Sequence, residues 1–123
     1  MSVLLKRLAV ATVFFLLLDG TYISLTKKLF QDQIINIQRV VMTVKPIGAI
    51  LCYLFLITGL YYFILQNKKS VEDAVILGLV IYGVYETTNY AILKKWSPWI
   101  AIMDTLWGGT LFGLTTYFTY ALV

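Results

Sequence analysis

The sequence predicts an all-α, polytopic membrane protein: a four-transmembrane-helix bundle with an amphipathic segment between spans one and two. Three observations predict it. Of the 123 residues, 60% are hydrophobic and 13% charged, which would leave a soluble globule too little polar surface. The apolar residues fall into runs of about 20, the length that crosses a bilayer as a helix. Between those runs the Lys and Arg residues sit in small groups, the pattern of lipid headgroup contacts and topology signals. The length suits one domain, residues 1–123.

Span one runs from Val3 to Leu25. Its opening, Lys6-Arg7 followed by LAVATVFFLLL, has the look of a secretory signal. No small-x-small cleavage site follows, and apolar character resumes after Asp19-Gly20, so an uncleaved span is expected. The next stretch, TKKLFQDQIINIQRVVMTVK, sets Leu29, Phe30, Ile34, Ile37, Val41 and Val44 at roughly helical spacing, with Lys28, Asp32, Gln33, Gln38 and Arg39 interleaved. It reads either as an amphipathic helix at the interface or as an extension of span one or two. Span two starts at Pro46, a residue favoured in the first helical turn, and runs to Leu65. Span three covers Val71 to Leu93 and span four Pro98 to Val123. The connectors QNKKS and KKWS are short, so spans two, three and four are neighbouring antiparallel helices.

Alternation puts Lys6, Arg7, Lys68 and Lys69 on one side and Lys27, Lys28, Arg39, Lys45, Lys94 and Lys95 on the other. The larger group leans toward the cytoplasm, whereas the N-terminal pair points the opposite way. Localisation is integral and multi-pass, with the host membrane open.

Composition also excludes chemistry. The net charge of +4 is modest and divided between loops, so no nucleic-acid partner is expected. Cys52 is the sole cysteine, which rules out an intrachain disulfide and a thiolate metal site. The chain has no histidine, and with it go the commonest metal ligand and the Ser-His and Cys-His catalytic pairs. No cofactor, metal or catalytic residue is assigned. Membrane lipids, protons or small cations, and further copies of the chain are the partners expected.

Three carboxylates nevertheless lie inside spans. Asp19 precedes the end of span one, Glu86 precedes the end of span three, and Asp104 follows the start of span four, each by six or seven residues. At 1.5 Å per residue each is about 10 Å below its helix end. Alternating topology sends all three ends to the same face, together with Lys45-Pro46. Three acids from three helices therefore share one depth, with Lys45 at the rim. Tyr82, Glu86 and Asn89 share a helical face, and Tyr85 borders Asn89. Asp104 shares a face with Trp107 and Gly108, and Asp19 with Phe15 and Tyr22. Gly78, Gly83, Gly108, Gly109 and Gly113 let backbones approach, and Gly109-x-x-x-Gly113 has packing-motif spacing. The candidate site is thus Asp19, Tyr22, Lys45, Tyr82, Tyr85, Glu86, Asn89, Asp104 and Trp107.

The segment YGVYETTNYAILKKWSPWIAIMDTLWGG resembles the DUF2177 family of small predicted membrane proteins, and the resemblance extends over nearly the whole chain. That family has an aspartate and an aromatic late in span one, matched by Asp19-Gly20-Thr21-Tyr22. Its Tyr-Gly-x-Tyr-Asp-x-Thr-Asn segment is matched by Tyr82 through Asn89. Its loop lysine and tryptophan correspond to Lys95-Trp96, and its Asp-x-x-Trp-Gly to Asp104 through Gly108. Glu86 stands where the family has aspartate, and Tyr22 where tryptophan is common. The resemblance implies a membrane bundle and carries no established activity.

Three readings of the polar cluster compete. Close carboxylates under low dielectric cannot all ionise, so at least one is expected to hold a proton near neutral pH. Such a group can exchange a proton for a cation, which favours a proton- or cation-linked channel or transporter acting as a homo-oligomer. An intramembrane enzyme or binding protein for a lipid or isoprenoid is the alternative, with two unequal carboxyls as acid and base. A structural membrane subunit, its acids hydrogen-bonded across helices, is the third.

Overall fold

In the computed structural model, which describes residues 2–38 and 45–123, four long helices follow one another: α1 (Val3–Gln38), α2 (Pro46–Leu60), α3 (Val71–Ile92) and α4 (Pro98–Leu122). The segment past Leu25 is therefore an extension of span one, since α1 continues unbroken through Gln38. Arg39, Val41 and Val44 of the same amphipathic pattern lie outside the described residues.

Local chemistry sets the helix ends. Pro46 opens α2 after the extended Lys45, supplying a fixed φ where no N–H partner is needed. Ser70 caps α3, its hydroxyl accepting the Asp73 N–H at 3.0 Å, with Glu72 and Asp73 in the first turn facing the positive end of the helix dipole. Ser97 and Pro98 start α4 in the same way. The second span ends in a π-helical turn, Tyr61–Leu65. Carbonyls at that turn are met from other helices: the Arg7 guanidinium donates to Leu65 O at 3.0 Å, and the Tyr120 hydroxyl donates to Ile64 O at 3.3 Å and Lys69 O at 2.7 Å.

α1, α2 and α3 are each long and apolar enough to cross a membrane, α2 together with its π-helical turn. α4 has the length but carries Gly108, Gly109, Gly113 and a series of threonines, and it is the helix against which α3 and α1 pack. Its glycines meet Tyr82, Leu79 and Val75 of α3, and Gly78 sits against the Gly108 backbone. The pairing of low α3 numbers with high α4 numbers makes the two antiparallel. On α1, Phe15 meets Phe112 with ring centroids 5.6 Å apart, and Phe14 stacks on Phe118 at 5.2 Å, again antiparallel. Apolar burial drives little association in lipid, so this small-residue contact and dispersion hold the bundle. Its core is Ala11, Phe15, Leu60, Ile64, Leu65, Ala74, Leu111 and Phe112. α2 touches the rest mainly through α1 and stands apart from α3.

Candidate functional site

Up-and-down order brings the late part of α1, the start of α2, the late part of α3 and the start of α4 to one end of the bundle. There the three acids are buried: Asp19 is 6% exposed, Glu86 0% and Asp104 7%. Among the described residues, their hydrogen-bond donors are neutral aromatic side chains. Trp107 Nε1 donates to Asp19 Oδ1 at 3.0 Å and the Tyr53 hydroxyl to Oδ2 at 2.6 Å, so both oxygens of Asp19 are matched. The Tyr22 hydroxyl donates to Asp104 Oδ1 at 3.0 Å. Trp96 Nε1 donates to Glu86 Oε1 at 2.9 Å. Glu86 Oε2 is buried without a partner among the described residues, and the Asp104 carboxyl is its neighbour.

Tyr22 and Trp107 stack with centroids 4.6 Å apart and planes within 2°. One ring donates to Asp104 and the other to Asp19, so the stacked pair spans the gap between those two acids. The cluster is consequently a row (Asp19, the aromatic pair, Asp104, Glu86). Among the described residues no group of three or more His, Cys, Asp or Glu side chains is arranged to hold a metal ion.

The α1 extension positions one end of this row. Gln33, buried on α1, donates its amide to the Lys95 carbonyl in the α3–α4 connector. That contact holds the connector where Trp96, 4% exposed, reaches Glu86.

Two cavities reach the row. One, of about 360 Å³, lies between α2 and α3 and is lined by Cys52, Leu56, Ile81, Tyr82, Tyr85 and Asp104. The other, of about 230 Å³, follows α1 past Asp19, Tyr22, Thr26, Lys27 and Phe30. Tyr82 and Asp104 line both. The Tyr82 ring fits there because Gly108 has no side chain beneath it.

Of the residues singled out in the sequence, Asp19, Tyr22, Glu86, Asp104 and Trp107 are joined by these bonds, and Tyr82 packs among them. Tyr85 is 59% exposed and borders only the outer cavity. Asn89 is half-buried in the last turn of α3, where its carbonyl accepts the Leu93 N–H at 2.8 Å. Lys45 is exposed at the start of α2 and takes no part in the hydrogen bonds of the cluster. Two donors were not singled out as site residues. Trp96 was visible as the connector tryptophan of the family pattern, whereas nothing in the sequence marks Tyr53 from the other tyrosines.

A family model described as "Predicted membrane protein (DUF2177)" matches residues 4–121. No curated protein and no solved structure matches the chain.

Proposed function

The chain belongs to the DUF2177 family of predicted membrane proteins, and from that premise we propose that it is a proton- or cation-linked channel or transporter whose working centre is the Glu86–Asp104 pair, held beside Asp19. One observation carries the reading: Asp104 lines both cavities while one of its oxygens and one of Glu86 lack a donor among the described residues. A buried carboxyl that a proton or a cation can reach is the first requirement of such exchange. A single bundle of this size encloses little of a pathway, which favours a homo-oligomer.

Flux in proteoliposomes tests the reading. Wild-type protein is expected to move protons or small cations under a pH gradient or applied voltage. Glu86→Gln and Asp104→Asn keep the shape of the site and remove its titratable charge, so they are expected to abolish flux or reduce it strongly. Wild-type vesicles indistinguishable from empty ones in both gradient directions reject transport.

A second reading has its own support. Lys27 lines the α1 cavity beside Asp19 and Asp104, giving an anionic headgroup one basic partner. That favours a lipid or isoprenoid as the bound molecule, and a co-purifying lipid identified by mass spectrometry would shift the balance to it.

A further inference from the structure

We propose that the groove between α2 and α3 binds a lipophilic ammonium, a protonated primary or secondary amine on an apolar body, and that this is the cation exchanged at the carboxyl row. The groove has the size of a small-molecule site, about 360 Å³. Its walls are Leu56, Ile81 and the rings of Tyr82 and Tyr85, with Cys52 at one edge. Asp104 is the one charged residue lining it among the described residues. An occupant therefore meets apolar surface along its length and a carboxyl at its end.

The carboxyl end is under-supplied with donors. Asp104 is 7% exposed, and Tyr22 engages only Oδ1. Behind it Glu86 is 0% exposed, with Oε2 unpartnered among the described residues. A buried carboxyl oxygen without a donor is costly. No described basic side chain reaches either oxygen from the groove. An anion would be repelled, and a neutral alcohol would bring one weak donor and no charge. A quaternary ammonium would bring charge without an N–H. Only a protonated amine supplies both, and the Tyr82 face adds cation–π attraction. On entry the ammonium donates to the Asp104 oxygen that Tyr22 does not engage. On the exchange reading a proton returns to the carboxyls when the ammonium leaves, so one positive charge replaces another. Because α2 stands apart from α3, the groove gives such a molecule a lateral approach.

The inference rests on the transport reading for the direction of movement, and its binding step is testable alone. Cys52 is the sole cysteine, is exposed, and lines the groove, so its alkylation reports occupancy. The protein in lipid nanodiscs is treated with N-ethylmaleimide at slightly acidic pH, where octylamine is protonated and does not consume the reagent, in the presence of octylamine, 1-octanol or octyltrimethylammonium. Octylamine is expected to slow labelling about five-fold at roughly 80% occupancy, following mass action. The alcohol and the quaternary amine are expected to leave the rate nearly unchanged, and Asp104→Asn to lose the octylamine effect. Equal protection by all three amphiphiles, or none by any, overturns the inference using wild-type protein alone. Amine-selective protection in a protein that moves no proton or cation retires the transport reading and keeps the binding site. Flux without amine selectivity does the reverse.

Discussion

Replacing Trp96 by phenylalanine tests the bond that joins the α3–α4 connector to the buried glutamate. The indole is 4% exposed and donates to Glu86 Oε1 at 2.9 Å. Phenylalanine leaves most of the ring volume and removes the N–H. Because Oε2 already lacks a partner among the described residues, the substitution leaves a fully buried carboxyl with neither oxygen matched by a described donor. In soluble proteins a hydrogen bond to a charged group contributes about 1.5–3 kcal/mol. Interhelical side-chain bonds in membranes average about 0.6 and reach about 1.7 kcal/mol, because the unfolded helices find other partners. Complete burial places this bond near the membrane maximum, so Trp96→Phe should cost about 1.5 kcal/mol. Reversible unfolding in mixed micelles measures it, with Trp99→Phe as a control, since Trp99 is 67% exposed. A cycle with Glu86→Leu isolates the pair: the double variant, apolar on both sides, should be more stable than the two single losses add up to, by about 1 kcal/mol or more. A Trp96→Phe protein within about 0.3 kcal/mol of wild type, or strictly additive losses, would refute the bond.

The helix crossing and the α1 extension offer two further tests. A methyl group at Gly78 would overlap the Gly108 backbone and lie 2.9 Å from Phe112 Cβ, whereas Gly59 has nothing within 4 Å. Gly78→Ala should therefore lose about 1–3 kcal/mol of stability in the same micelle assay, and Gly59→Ala should be neutral or gain up to about 1 kcal/mol from helix propensity. Gln33→Ala removes the buried donor to the Lys95 carbonyl, and is expected to cost about 0.6 kcal/mol and to speed amide exchange in the Lys94–Ser97 connector. Unchanged exchange there would mean that Gln33 does not hold the connector.

Spacing and alternation set the depth of the acids, because a bilayer enforces both. Helices of nearly fixed length, reversed at each connector, bring Asp19, Glu86 and Asp104 to one level whatever their side-chain orientation. Helical facing was a weaker guide near helix ends. Tyr85 follows Val84 on the outer side of α3 and is 59% exposed, although its spacing to Asn89 placed it at the edge of the polar face. Asn89 sits in the closing turn of α3. Alternation set Lys45 at the rim; it is exposed at the start of α2 and takes no part in the hydrogen bonds of the cluster. The fate of residues 26–38 was open because an amphipathic period fits an interfacial helix and a protruding one equally. The contact that distinguishes them, Gln33 on the Lys95 carbonyl, joins residues distant in sequence and has no local signature. Tyr53 escaped for the same reason: its partner is on another helix.

The pattern of matched and unmatched oxygens divides the three acids by role. Buried polar atoms are nearly always partnered in a structure that only needs to be stable. Asp19 obeys that rule, with Trp107 and Tyr53 on its two oxygens. Glu86 and Asp104 each accept one aromatic donor, Glu86 Oε2 is buried without a described partner, and the two carboxyls are neighbours. A purely structural site would gain nothing from placing two half-matched acids together, since their mutual repulsion opposes packing. On the exchange reading, Asp19 is then the anchor and the Glu86–Asp104 pair the exchanging element. Asp19→Ala should then lower stability by about 1–2 kcal/mol, the loss of two interhelical bonds, while the folded fraction retains measurable flux. Asp104→Asn should do the opposite, keeping stability within about 0.5 kcal/mol and losing flux, because the amide still accepts from Tyr22 but carries no titratable proton. Parallel unfolding and proteoliposome measurements on the two variants decide the matter. If Asp104→Asn proves the more destabilising and both retain wild-type flux, the row of acids is a structural element and the exchange reading fails with it.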